Sequence, residues 1–164
     1  MILNRETALN IPAPALTTRW IVLFENQPGP YKGIVETVEA TFINTESKGR
    51  LSQGSNNYYP EMSDIENLNI VFYEDSEYSV TKWLRDWKLK IYDPVTGNYG
   101  VANDYKKRIY IELYNLVTKT PILKLGYKNC WPTSTGGYGL TYEDPSGRLQ
   151  VNQQFSTDTL EFSE

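Results

Sequence analysis

The side chains best suited to chemistry in this sequence are its carboxylates. The 164 residues include 20 Asp and Glu but no His. Because His is the usual general base near neutral pH and the commonest metal ligand, its absence excludes Ser–His and Cys–His nucleophile pairs. Two carboxylates can act together as acid and base, but the acidic residues show no ordered pairing. The composition therefore predicts a protein that is not an enzyme and that uses no metal or other cofactor.

The remaining reactive residues do not form a recognisable motif either. The sequence contains no GxxxxGK[ST], GxGxxG, CxxC or HExxH pattern. The acidic run Glu74, Asp75 and Glu77 lacks the central glycine and the terminal glutamate of an EF-hand loop. The single cysteine, Cys130, has no intrachain disulfide partner, so we expect a buried small hydrophobe in a reducing compartment.

Charge and hydropathy narrow the class of partner. The 16 basic and 20 acidic residues give a formal net charge of −4, without the basic cluster that would follow a phosphate backbone. No apolar stretch approaches the length of a membrane-spanning helix, and the N-terminus has no signal-peptide core. We therefore expect a soluble intracellular product that binds neither nucleic acid nor membrane.

The chain has the length of one domain, and no repeat or shift in composition divides it. We predict a single domain over residues 1–164. Residues 1–16, which contain Pro12 and Pro14 and little hydrophobic pattern, are expected to form an N-terminal arm outside the core.

Alternating hydrophobicity predicts a series of strands. The predicted strands cover residues 19–24, 33–44, 67–74, 105–116, 120–131 and 149–161. Residues 117–119 are expected to form a turn and residues 132–139 a loop. In the second strand, Ile34, Val38, Ala40 and Phe42 are expected on the buried face.

One segment changes from the period of a strand to that of a helix. Apolar residues recur at three- and four-residue spacing from Ser79 to Ile91, and Asp93-Pro94 ends the pattern. We predict a helix over residues 79–91 with Ser79 as its N-cap. Trp83, Leu84 and Trp87 are expected to point into the core.

Residues 42–60 are predicted to form a long hairpin with its tip at Gln53–Asn57. Arms of about eight residues would carry the tip roughly 26 Å from the body. Because an isolated two-stranded ribbon is marginal in water, such a hairpin needs a neighbour; a disordered loop is the alternative. The whole pattern predicts a mainly β (α+β) fold, an antiparallel two-sheet β-sandwich or barrel with one flanking helix and this protruding hairpin.

Three segments in this order resemble the tail tube proteins of contractile-tailed phages. They are the strand into Tyr73-Glu74-Asp75, the helix with Trp83 and Trp87, and Cys130-Trp131-Pro132-Thr133. The resemblance covers about residues 17–162. It implies a virion structural protein, made in the host cytoplasm, whose copies form rings of six that stack into a tube inside a contractile sheath. The same resemblance implies contacts with a baseplate hub or tube initiator and with a tail terminator, and passage of DNA through the lumen.

Two sets of surface residues follow from this interpretation. The hairpin is expected to dock onto an adjacent subunit or ring through Lys48, Arg50, Leu51, Tyr58 and Tyr59. Polar strand faces are expected to line a neutral to acidic lumen that repels DNA phosphates. The lumen candidates are Thr37, Glu39, Thr41, Gln150, Asn152, Gln154 and Asp158.

Other functions remain open at this stage. Within the same architecture the chain would also suit a tube initiator, a tube terminator or the tube subunit of a phage-like injection device. A β-sandwich rich in Tyr and Trp would also suit a carbohydrate-binding module that stacks sugars on exposed rings.

Overall fold

The computed structural model describes residues 20–25, 35–52, 55–114, 120–135 and 148–163. The predicted arm 1–16, the turn 117–119, the loop residues 136–139 and part of the hairpin tip lie outside these ranges. The strands are Trp20–Phe24 (β1), Val35–Glu39 (β2), Ile43–Ser52 (β3), Ser55–Ile65 (β4), Leu68–Tyr73 (β5), Lys107–Tyr114 (β6), Pro121–Thr135 (β7), Gln150–Ser156 (β8) and Thr159–Ser163 (β9). The helices are Ser79–Ile91 (α1) and Ala102–Tyr105 (α2).

The described chain is mainly β, with two antiparallel sheets and one main helix, which confirms the predicted fold class. Six strands follow the order β1-β6-β7-β8-β5-β2, and β9 also pairs with β7. The second sheet consists of β3 and β4 alone.

Strand β7 joins two halves of the large sheet. Its first part pairs with β6 and β9, and its last part, from Trp131 onward, pairs with β8. The change falls next to Asn129, whose backbone adopts the left-handed conformation with φ 56°. The loop predicted from Pro132 is therefore wrong over residues 132–135, where the strand continues on its new partner.

Aromatic rings fill the space between the two halves. The Phe24 ring of β1 lies 6.1 Å from the rings of both Phe72 and Phe155, on β5 and β8, and meets Trp83 of α1 edge-on at 5.1 Å. Along β5, every second side chain is fully buried, as its alternation predicts. The core therefore lies between two sheet halves and the helix.

Helix α1 has the predicted bounds, and its Trp83, Leu84 and Trp87 are buried. Trp87 Nε1 donates a hydrogen bond to the carbonyl of Tyr105 at 2.7 Å, so the large ring is buried without an unsatisfied polar atom. Ser79 is the first helical residue rather than the N-cap, and the preceding Tyr78 is left-handed with φ 56°. Neither described helix is long and apolar enough to cross a membrane.

Strand β2 is shorter than predicted. It ends at Glu39, and a register shift between Val35 and Thr37 lets both Val35 and Val38 pack against the core. Phe42, expected on the buried face, is 58% exposed and stacks on Phe162. Ala40 packs against the core as expected, and Ile34 lies outside the described residues.

The last predicted strand is two strands. β8 pairs with β5 and with the end of β7, whereas β9 returns to the first part of β7. The break falls at Thr157 and Asp158, where the Thr157 hydroxyl and the Asp158 amide both donate to the carbonyl of Lys128. The prediction of one continuous strand over residues 149–161 is therefore wrong. The chain breaks here because β8 pairs with the last part of β7 and β9 with its first part.

Candidate assembly surfaces

The β3–β4 hairpin extends away from the large sheet. Its two strands pair with each other and with no other strand in the described parts of the chain. They contain 10 and 11 residues, which is longer than the predicted arms, and at roughly 3.3 Å per residue β3 spans about 33 Å. The predicted hairpin is present, with its base at Ile43 and Ile65 rather than at 42 and 60.

The hairpin has two chemically different faces. Cross-strand partners share a face, so Lys48 and its partner Tyr59 lie with Arg50 on one side, where they line a shallow groove with Pro60. Leu51, on the opposite side, is 73% exposed. One face therefore carries Lys48 and Arg50 together with Glu46, and the other exposes Leu51.

On the same face as Leu51, the Tyr58 ring lies next to Gly49. Tyr58 lies opposite Gly49 in the ladder, and a Cβ atom at Gly49 would come within 3.2 Å of Tyr58 Cε1. Even so, Tyr58 is 69% exposed and Tyr59 on the other face is 55% exposed. The five side chains expected to contact a neighbour thus all lie on this hairpin and face solvent; the contact itself stays a prediction.

A second surface is the polar side of strands β2, β5 and β8. Glu39, Asn69 and Gln154 form one row across the three strands, and Asn69 Nδ2 donates to Glu39 Oε2 at 3.0 Å. Thr37 and Asn152 flank Val71 in the next row. We call this surface the polar face; it consists of residues 36, 37, 39, 69, 71, 73, 150, 152 and 154.

The polar face lies on the other side of the sheet from α1. Trp83 and Trp87 contact Phe72 and Phe155, whose side chains point to the core from the same strands. Because successive residues of a strand alternate in direction, the polar residues of β5 and β8 must point away from the helix. Helix and polar face therefore form opposite surfaces of the fold.

The charges of the polar face are mostly negative. Gln150 Nε2 donates to Glu36 Oε2 at 2.5 Å, and a hydrogen bond to Glu36 raises the pKa of the neighbouring Tyr73 phenol. The guanidinium of Arg148 lies 5.3 Å from the Tyr73 ring, at the margin of the face. The carboxylates of Glu36 and Glu39 are therefore balanced by a cation at one end only.

Two of the lumen candidates do not lie on the polar face. Thr41 follows the end of β2; its hydroxyl donates to the carbonyl of Glu66 at 2.8 Å, and its carbonyl accepts from Tyr127 Oη at 2.9 Å. Asp158 lies between β8 and β9 and accepts a hydrogen bond from Lys106 Nζ at 2.8 Å. Extrapolated alternation placed them on the face, but both strands end before these residues.

Sequence reasoning missed an acidic groove where the hairpin meets the polar face. Its lining residues are Asp64, Ile65, Glu66, Asn67, Asn69 and Gln154. The groove arises because β4 runs almost directly into β5, which brings the base of the hairpin beside the first row of the polar face. The local signal for it is the pair of acids Asp64 and Glu66, which lies just beyond the predicted hairpin.

No protein-family model matches the chain, and no curated protein matches it. Solved structures do: a chain of an extracellular contractile injection system (PVC) sheath/tube terminator has a TM-score of 0.74, 17% identity, and coverage of 94% of this chain and 99% of that one. A chain of the anti-feeding prophage baseplate has a TM-score of 0.70 and 14% identity, and the match covers 93% of this chain and 97% of that one. A chain of the PVC sheath–tube complex has a TM-score of 0.62 and 17% identity, with coverage of 98% of this chain and 99% of that one. This is the fold of the tail-tube-like proteins of contractile injection systems.

The three segments that carry the sequence resemblance lie at junctions of this tail-tube-like fold. Glu74 and Asp75 bind the N-terminus of α1, and Trp83 and Trp87 join that helix to the sheet. Cys130 lies where β7 changes partner; its thiol is fully buried and donates to the carbonyl of Tyr127. Burial raises the pKa of the Cys130 thiol to about 12, so it is inert at neutral pH.

Within the described ranges of this tail-tube-like fold there is no cluster of three or more metal-binding side chains. The polar residues instead spread over broad, shallow surfaces. Such surfaces suit contacts between macromolecules better than the binding of a small ligand, which prefers a concave and largely apolar pocket.

Proposed function

We propose that this chain is a non-catalytic subunit of the inner tube of a contractile tail particle. Copies close into rings of six, the rings stack into a tube, and a sheath surrounds the tube between a baseplate hub and a terminator. The observation that carries this proposal is the β3–β4 hairpin, which exposes large side chains on both faces.

The exposed hairpin supports self-assembly on energetic grounds. A two-stranded ribbon is marginal in water without a third surface. This one nevertheless has nine paired positions along the ten residues of β3 and exposes Leu51 and Tyr58. Packing those two side chains against a neighbour would remove apolar surface from water at about 25 cal/mol per Å². A subunit in an assembly gains this energy and a monomer does not.

The ends of the large sheet support ring closure. Strands β1 and β2 lie at opposite ends of its strand order, so each has one side without a partner strand in the described chain. Exposed edges are sites of uncontrolled pairing, and closure of a sheet into a barrel removes them. A ring in which subunits contribute adjacent sheet segments satisfies both ends at once.

The polar face is the proposed wall of the lumen, and α1 lies on the outer side. A wall carrying Glu36 and Glu39 in every copy repels the phosphates of DNA, so the genome can slide without binding. This assignment places Thr37, Glu39, Gln150, Asn152 and Gln154 inside the tube. Thr41 and Asp158 lie off this face, so Thr41 would lie at its edge and Asp158 outside the lumen.

Two related roles are second candidates, since similar chains come from terminator and baseplate structures as well as from a sheath–tube complex. A terminator or initiator would form a single ring instead of a stack. The same tube would suit either a phage or a phage-like injection device, which differ in whether DNA passes through it.

Removing the hairpin tip tests the proposal. Deletion of Gln53–Asn57 should leave a folded subunit, because the core lies elsewhere, but one that no longer polymerises. Purified wild-type and deleted proteins are compared by circular dichroism and by negative-stain electron microscopy. Stacked rings from the wild type support a tube subunit, single rings support a terminator or initiator, and normal tubes from the deleted protein contradict the role of the hairpin.

A further inference from the structure

The core has one end that helices close and one end that the described part of the chain leaves open. Trp83 of α1 meets the ring of Phe24, the last residue of β1, and α2 leads into β6 at this same end. We call the other end, where β1 begins at Trp20, the open end. We propose that the predicted N-terminal arm, residues 1–16, packs across the open end of its own copy. This inference goes beyond the proposed function and does not depend on assembly.

The open end exposes side chains that belong to the core face of the sheet. Trp20, Leu113 and Leu123 form one row across β1, β6 and β7, and all three are only partly buried. On the neighbouring strand β9, Phe162 is 51% exposed, although Leu160 on the same face is buried. The core therefore ends here in apolar side chains that the described residues do not bury.

A second aromatic ring extends this apolar surface. Phe42 stacks on Phe162, with the ring centroids 6.1 Å apart and the ring planes 5° from parallel. Phe42 is itself 58% exposed, and the next residue, Ile43, is 49% exposed. Contact between exposed apolar side chains is typical of a surface that another segment covers. A segment that binds here should be apolar and carry little charge.

The composition of the N-terminal arm fits this surface. Residues 8–16, ALNIPAPAL, contain no charged side chain. Proline favours an extended backbone at the residue before it, which applies here to Ile11 and Ala13. In an extended segment every second side chain points the same way, so Leu9, Ile11 and Ala13 would lie together on one side. Leu9 and Ile11 are therefore the expected contacts of the arm with the open end.

The arm is also attached at the right place and is long enough. It leads through residues 17–19 directly into Trp20. Phe162 lies three strands from Trp20, in the order β1, β6, β7 and β9, which is roughly 14 Å at about 4.8 Å per strand. At about 3.3 Å per residue, Ile11 can reach roughly 30 Å from Trp20. A segment tethered so close to its site has a high effective concentration, which favours its own copy over a second one.

Thiol accessibility in the full-length protein tests this contact. F162C places a thiol in the open end, and S163C places one on the opposite face of the same strand as its control. Each is combined with the wild-type arm, with L9S/I11S, or with I2S/L3S, which removes one Ile and one Leu from outside the uncharged stretch. The native Cys130 is buried, with a thiol pKa of about 12, and should stay silent. Reaction with a small maleimide is followed in dilute monomers, and folding by circular dichroism.

With the wild-type arm, the F162C thiol should react at least about tenfold more slowly than the S163C thiol, because a covered thiol is inaccessible. L9S/I11S should raise the F162C rate at least about fivefold and leave the S163C rate unchanged, and I2S/L3S should change neither. Without the cysteine substitutions, L9S/I11S should lower the melting temperature by about 2–4 °C, and I2S/L3S should not.

Three results would overturn the inference. The first is equal reaction of F162C and S163C with the wild-type arm, and the second is an F162C rate that L9S/I11S leaves unchanged. The third is protection of F162C that disappears when the folded protein is diluted further, since the covering segment would then come from a second copy. The tube proposal would stand in each case, because none of these measurements depends on assembly.

Discussion

At the scale of single residues, two carboxylates that precede α1 in the sequence, Glu74 and Asp75, accept hydrogen bonds from its first amides. Ser79 has the residue type of an N-cap, but the amides at the start of α1 are bound from the preceding segment. Glu74 accepts hydrogen bonds from the amides of Val80 and Thr81, each at 3.0 Å, and Asp75 from the amide of Ser79 at 2.9 Å. This arrangement includes the left-handed backbone conformation of Tyr78, which no local sequence pattern predicts.

Glu74 is therefore expected to stabilise the fold. Its carboxylate satisfies two helix amides at the positive end of the helix dipole, so Glu74→Ala should lower the free energy of unfolding by about 1–2 kcal/mol. Chemical denaturation in urea measures this difference. Glu77→Ala, which removes an exposed carboxylate from the same loop, should change stability by less than about 0.5 kcal/mol. Equal effects of the two substitutions would contradict the capping role.

The lumen candidates show the same limit at this scale. Alternation correctly grouped Gln150, Asn152 and Gln154 on one side of a strand, because period-2 direction is a local property. It also assigned Asp158 to that side, where the chain has already turned. The side of the sheet to which a residue points can be predicted only within its own strand. Where a strand ends depends on the strands that pair with it.

At the scale of elements, the predictable features were those with a strong local period. The helix bounds and the burial of β5 follow from spacing alone. The separation of β8 from β9, and the continuation of β7 beyond Trp131, depend on which strands meet across the sheet. Those pairings join residues far apart in sequence, so they cannot be predicted from the hydrophobic pattern of any short segment.

The turn after α1 contains a glycine that the sequence did not single out. A Cβ atom at Gly100 would lie 1.8 Å from the carbonyl oxygen of Lys90, and the Gly100 amide donates to the carbonyl of Ile91 at 2.9 Å. Gly100→Ala should therefore force the turn away from the helix and destabilise the protein by about 1–3 kcal/mol.

Gly97 provides the control for this prediction. It has φ 72° but open space around its Cα, so Gly97→Ala carries only backbone strain, about 1 kcal/mol. Thermal unfolding should rank the melting temperatures as wild type, then Gly97→Ala, then Gly100→Ala. A Gly100→Ala variant as stable as the wild type would contradict the predicted clash with the Lys90 carbonyl.

At the scale of the whole molecule, the sequence could predict a mainly β fold with a helix and a hairpin but not its composite surfaces. The polar face combines three strands that are separated in sequence by more than a hundred residues, from Thr37 to Gln154. The proposed assembly would depend on such composite surfaces.

The position of the polar face in an assembled tube can be measured with single cysteines. Asn152→Cys adds a thiol to the polar face, and Arg85→Cys adds one to the exposed side of α1; the native Cys130 is fully buried and should stay silent in both. In monomers both new thiols should react with a maleimide attached to a polymer wider than the pore. In tubes the polymer should be excluded from position 152 and still reach position 85, because only the lumen restricts access. Equal labelling of the two positions in tubes would place the polar face on the outside, and the acidic wall would then face the sheath instead of the cargo.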